Sequence, residues 1–126
     1  MADLKEKSLA LLSSTTVSFA ADGHTTLFTV PAGKRCVLSH AIVIAAADAG
    51  ATTTISIGQN GAETDFVPAC TLSNLDAQYD AVVLQPIMNS TPVKNKSYAA
   101  AAVIEAAVAS HTGAAGNTVL LYGTLT

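Results

Sequence analysis

The chain has 126 residues, a formal charge of −3 and a pI near 5.4. That length describes one domain with a core of its own. Six basic residues in scattered pairs cannot neutralise a phosphate backbone, and the absence of Trp removes the best base-stacking platform, so nucleic-acid binding is excluded as an expectation. Charged residues make up 12%, about half the usual ~25%. Ala and Thr fill much of the deficit, which leaves a surface that loses little hydration on contact with a partner.

The longest apolar run, Ala41 to Ala47, falls far short of the ~20 residues of a membrane span. Lys5, Lys7 and Leu9–Leu12 imitate a signal peptide, but Ser13-Ser14-Thr15-Thr16 interrupt its apolar part, and the segment is expected to be retained. The two cysteines, Cys36 and Cys70, have no zinc-type spacing and are expected as thiols rather than a disulfide.

Residues 1–14 carry the densest charge and a leucine cluster. Leu4, Leu11 and Leu12 can share one helical face, but so short a helix needs tertiary support. The segment is expected to be an N-terminal arm or short helix that orders on a partner, with Leu4, Leu9, Leu11 and Leu12 as contacts. A single domain over 15–126 follows.

Thr15–Phe19 is a short strand and Asp22-Gly23 a turn. Thr26–Val30 leads into the turn Pro31-Ala32-Gly33-Lys34, and the longest strand, Arg35–Ala46, leaves it, so the pair reads as a hairpin. Strict alternation puts Cys36, Leu38, His40, Ile42 and Ile44 on the core face. Val37, Ser39, Ala41, Val43 and Ala45 fall on a second, moderately apolar face that is expected to be partly covered.

Thr52–Gly58 alternates cleanly, and Asn60-Gly61 is a hairpin signal. Glu63–Val67 is a weak strand that should stop at Pro68, with 69–80 irregular. Asp80–Leu84 is a strand closed by Gln85–Met88, and 89–96 is a loop.

In Ser97–Ser110, alanine propensity favours helix, whereas Ala102, Ile104, Ala106 and Val108 alternate with Glu105 facing the other way. The turn 113–116 and the final strand, Thr118–Leu125, favour strand and a C-terminal hairpin. The sum is about eight short strands in an all-β antiparallel β-sandwich or jelly roll.

No constellation carries chemistry. Cys36 and His40 would lie about 13 Å apart along one strand, too far for a pair. His24, His40, His111 and Cys70 show no metal-ligand spacing. The carboxylate pairs Glu63/Asp65 and Asp76/Asp80 read as solvated surface, and the loop at Asn60–Asp65 lacks a calcium pattern. Hydrolase, P-loop and dinucleotide fingerprints are absent. The glycosylation triplets at Asn89 and Asn95 are of a kind that is common by chance. The expectation is a non-enzymatic protein without cofactor or metal.

The stretch Thr26-Leu27-Phe28-Thr29-Val30-Pro31-Ala32-Gly33-Lys34-Arg35, followed by a long strand, resembles the "LYTVPAGK" signature of small tailed-bacteriophage virion proteins, including capsid decoration (cement) proteins. The Thr/Ile strand at Thr52–Gly58 and the final Leu120-Leu121-Tyr122-Gly123-Thr124-Leu125 match the same layout. The resemblance implies a virion structural protein, made in the host cytoplasm and forming a homo-oligomer. It implies binding to the major capsid protein or other virion proteins, as a decoration protein on the head's outer surface. A tail, neck or fibre-attachment component is the alternative. A carbohydrate-binding module using Tyr79, Tyr98 or Tyr122 is the second.

Overall fold

A computed structural model describes residues 9–86, 90–92 and 94–126. Leu4 and the expected arm or helix over 1–8 lie outside the described residues. The described chain is all-β. Its strands are β1 (Ala10–Val17), β2 (Gly23–Thr29), β3 (Cys36–Ile44), β4 (Thr54–Gln59), β5 (Ala62–Thr71), β6 (Ala81–Leu84), β7 (Ser97–Tyr98), β8 (Val103–Ala109) and β9 (Asn117–Leu125). Among the described residues no helix is long and apolar enough to cross a membrane.

Two antiparallel sheets share one core. Sheet A has the order β1-β9-β3-β6, with β7 also on β3, and sheet B has the order β2-β8-β4-β5. Val17, Leu38, Ala41, Val43, Val119 and Leu121 from sheet A meet Leu27, Ile55, Ile57, Ile104 and Ala106 from sheet B in a single apolar cluster. The expected sandwich is therefore present, with nine strands among the described residues where about eight were expected. Strand formation in the Ala-rich segment is also seen. β8 fills the centre of sheet B and buries Ile104, Ala106 and Val108, and this burial outweighs alanine's helix propensity.

Two expected hairpins are not hairpins. β2 pairs with β8 in sheet B, while β3 pairs with β9 in sheet A, so the Pro31–Lys34 turn carries the chain across the sandwich. Lys34 N donates to Pro31 O at 3.3 Å, with Gly33 at φ 75° supplying the left-handed corner. The residues flanking the turn are bound to different partners. Val30 exchanges hydrogen bonds with Ala101 and Ala102, and Arg35 exchanges them with Thr126. The same holds at the C-terminus, where β8 and β9 lie in opposite sheets. Alternating strands placed in facing sheets both turn their apolar sides inward, so period-2 patterning alone does not distinguish a hairpin from an arch. The β4–β5 connection through Asn60-Gly61 is a true hairpin, as expected.

The face of β3 is corrected in its second half. Cys36 and Leu38 point inward, but the register with β9 shifts between Leu38 and His40. The extra residue reverses the parity. Ala41, Val43 and Ala45 are then buried, and His40, Ile42 and Ile44 face outward.

β5 runs through Pro68 to Thr71 instead of stopping. It is the edge strand of its sheet, and its register with β4 shifts between Cys70 and Val67. Pro68 therefore sits in an edge bulge where no ladder donor is required. β1 begins at Ala10, so the last part of the expected arm is a strand paired with β9.

Cys36 and Cys70 are free thiols. The buried Asn117 is fully used: Nδ2 donates to Val17 O and Ala114 O, and Oδ1 accepts from Ala46 N.

Candidate interaction surface

Register assigns the outer face of sheet A row by row. Leu11, Tyr122 and His40 form one row, and Ser14, Leu120, Ile42 and Val83 a second. Thr16, Thr118, Ile44 and Ala81 form a third, and Thr124 and Val37 lie beyond Tyr122, with Ser97 on the other side of Val37. No Asp, Glu, Lys or Arg stands in these rows. Leu11 is 51% exposed and Val83 57%. The central Ile42, Ile44 and Leu120 are half-buried by their neighbours. Tyr122 stacks on His40 with ring centroids 4.7 Å apart, and Ser39 Oγ lies 3.0 Å from His40 Nδ1. Beside Val83 an apolar groove of about 480 Å³ runs between the sheet edges, lined by Val67, Pro68, Cys70, Val83, Leu84 and Gln85. A sheet face whose Leu, Ile, Val and Tyr side chains are interspersed only with hydroxyls and one imidazole, with the Arg35 guanidinium bonded to Ser97 at its end, is the kind of surface that marks an interaction site.

The anticipated leucine contacts divide. Leu9 is exposed just before β1, and Leu11 joins the apolar face beside Tyr122. Leu12 turns inward against the core, because the register of β1 shifts between Leu11 and Ser13. The residues that sequence reading did not pick out are Ile42, Ile44, Val83 and Leu120. For Ile42 and Ile44 the one signal was the unbroken apolar run at Ala41–Ala47, which is too continuous for a strand with one wet face, and Val83 and Leu120 lie outside it.

Residues with chemical potential are mostly tied to structural tasks. Asp80 Oδ2 accepts from the backbone N of Asp76 and Ala77, so that carboxylate closes its loop. Asp65 Oδ1 accepts from Tyr98 Oη at 2.7 Å and Gln59 N at 3.1 Å, while Oδ2 pairs with Lys96 Nζ at 3.1 Å. Burial and this carboxylate push the Tyr98 phenol up. Burial pushes the Cys36 thiol up to about 11 and raises Cys70 as well, so both favour the protonated form. His111 is bound to Asp22, and its backbone and ring nitrogens hold that carboxyl below its ordinary value.

The structure thus separates Glu63 from Asp65. Glu63 instead meets His24 and Glu105 on the outer side of sheet B, and among the described residues only this group gathers three metal-ligand side chains. His24 pairs with Ala107 and is the diagonal neighbour of Glu105 across β2 and β8. Glu63 comes from the β5 tip, which folds over Gly58. A Cβ at Gly58 would collide with the Ala62 carbonyl and the Asp65 carboxylate. These three positions are far apart in sequence, and the one visible signal was a lone acid, Glu105, inside an otherwise apolar strand.

Compared with protein-family models, curated proteins and solved structures, the chain matches none of them.

Proposed function

We propose that the chain is a non-enzymatic virion structural protein, a capsid decoration protein that docks on the head through the outer face of sheet A. The observation that carries the docking is the charge-free apolar surface of Leu11, Tyr122, Leu120, Ile42, Ile44 and Val83. Burying it removes apolar area from water at roughly 25 cal/mol per Å² and desolvates no ion. The strand orders β1-β9-β3-β6 and β2-β8-β4-β5, with six of the eight connections between described strands crossing between sheets, support a jelly-roll reading. That architecture is frequent in viral capsid and lectin domains, and the virion assignment within it rests on the resemblance of Thr26–Arg35.

The mechanism is linkage. A protein that binds only the assembled shell stabilises it by RT ln(1 + [L]/Kd), about 2.7 kcal/mol per site at a hundredfold excess over Kd. A homo-oligomer bridging several capsid subunits would add avidity.

The lectin reading has weaker support. Tyr98 is buried and Tyr122 lies under His40, which leaves Tyr79, 78% exposed on a positive φ of 71°, as the one freely presented ring of the three.

The deciding experiment is cryo-EM of virions carrying the chain, paired with co-sedimentation of the protein and of Ile42→Asp with capsids. Density on the outer capsid surface with sheet A facing inward, and loss of binding in Ile42→Asp, is the expected result. Density at the tail, neck or fibres would overturn the decoration assignment in favour of the alternative. Unimpaired binding by Ile42→Asp would overturn the docking face.

A further inference from the structure

We propose that His24, Glu63 and Glu105 form a binding site for a divalent transition-metal ion of the zinc class. The argument starts from Glu105. Its residue is 4% exposed, yet Oε1 has no hydrogen-bond partner among the described residues. The other oxygen, Oε2, accepts from Asn60 Nδ2 at 3.3 Å. An unsatisfied carboxylate oxygen at such depth costs free energy unless a cation or proton meets it.

The surrounding geometry favours a cation. His24 Nδ1 lies 3.0 Å from Glu105 Oε1 and 3.3 Å from Glu63 Oε1. The first contact is close but falls outside hydrogen-bond geometry, since Oε1 remains unpartnered. Ligand atoms aimed at a common centre approach one another in this way. One ligand atom from each of the three residues lies within 4.8 Å of the other two. Metal–ligand distances of 2.0–2.1 Å in a tetrahedron place ligand atoms about 3.3 Å apart, close to both measured separations.

The donor set narrows the ion. One imidazole and two carboxylates suit zinc-class ions better than calcium or magnesium, which take oxygen ligands almost exclusively. The His24 side chain is 55% exposed, so the ion has an entry path.

The site also has a structural consequence. His24 is on β2 and Glu63 on β5, which are the two edges of sheet B, and Glu105 is on β8 between them. A metal here staples both edge strands to the sheet's interior across its outer face. Direct pairing of His24 with both carboxylates, without a metal, is the competing arrangement.

The test is titration of the purified chain with zinc chloride by calorimetry, with thermal unfolding measured with zinc and after chelation. One-site binding is expected, with a midpoint rise of roughly 5–10 °C at a hundredfold excess over Kd. His24→Gln, which alters an exposed ring and should fold normally, is expected to lose affinity at least tenfold. Glu105→Gln should lose it further, and His111→Gln should bind as the parent does. No binding by the parent chain would overturn the site and leave His24 paired directly with the two carboxylates. Retained affinity in His24→Gln, or equal loss in His111→Gln, would likewise overturn it.

Discussion

The outer faces of the two sheets are built from strands with the same inward pattern and have opposite characters. Sheet A presents Leu11, Leu120, Tyr122, Ile42, Ile44 and Val83 with no formal charge. Sheet B carries His24, Glu63 and Glu105, and the tip of β5 folds down over part of it. The polar face is covered in part by its own chain, while the apolar face stays open. The inward residues of a sandwich are set by the shared core, so they report little about function. The difference between the two outward faces is where a role can be read.

The largest effect separates core from face. Ile104→Ala removes a fully buried side chain from the centre of sheet B and should cost about 2–5 kcal/mol in urea unfolding. Ile42→Ala, half-exposed on sheet A, should cost the isolated chain about 1 kcal/mol or less while weakening docking. Equal losses would mean that the sheet A face is packed as a core and is not an open surface.

Next comes the fold of β5 over sheet B. Asp65 accepts from Tyr98, Gln59 and Lys96 at once, and Tyr98 belongs to sheet A. Asp65→Ala should cost about 1–3 kcal/mol, because several donors lose a shared acceptor. It should also raise hydrogen exchange at 60–65 selectively. A uniform rise across the domain would show that Asp65 supports global stability and does not act as the local anchor.

These elements show why the fold was more legible than the surface. The strand in the Ala-rich segment followed from the alternation at Ala102–Val108 and the strand after it, because burial repeats every second residue. The crossing at Pro31–Lys34 was not visible. A tight turn has the same local chemistry in a hairpin as in an arch, and the decision belongs to partners such as Ala102 and Thr126. The outward face of β3 was lost to one bulge residue near Ser39, which reversed the parity of Ile42 and Ile44. Pro68 stopped the expected strand because its edge position depends on sheet order. The His24–Glu63–Glu105 group joins three strands brought together by tertiary folding, so no spacing rule reaches it.

Alkaline pH probes the end of sheet A where Cys36 pairs with Tyr98 on β7. Burial lifts the Cys36 thiol to about 11 from an ordinary value of 9.0, and Tyr98 is raised by burial and Asp65. The folded chain therefore holds protons that the unfolded chain releases above pH 9. Stability is complete below that value and falls as pH rises toward 11. The urea midpoint should decline over this window, and Cys36→Ala should flatten the decline. A level midpoint from pH 9 to 11 would contradict the burial of these two groups.

The smallest effect lies at the rim of sheet B, where Asp22 holds His111. Asp22 Oδ1 accepts from His111 N at 3.1 Å and lies 2.7 Å from Nδ1, and both contacts lower the carboxyl below its ordinary value of 3.8. A depressed carboxyl stabilises the fold above its unfolded value, and the contribution disappears as pH falls through the folded one. The pair is exposed, so screening by solvent and salt keeps the effect slight. Asp22→Asn should lower the urea midpoint slightly at pH 7 and leave it unchanged well below pH 3.8, where the parent's carboxyl is also neutral. A difference that persists at low pH would assign the pair's contribution to hydrogen bonding by a neutral group instead of charge. In that case the rim of sheet B would be held, like the Asn117 corner of sheet A, without ions.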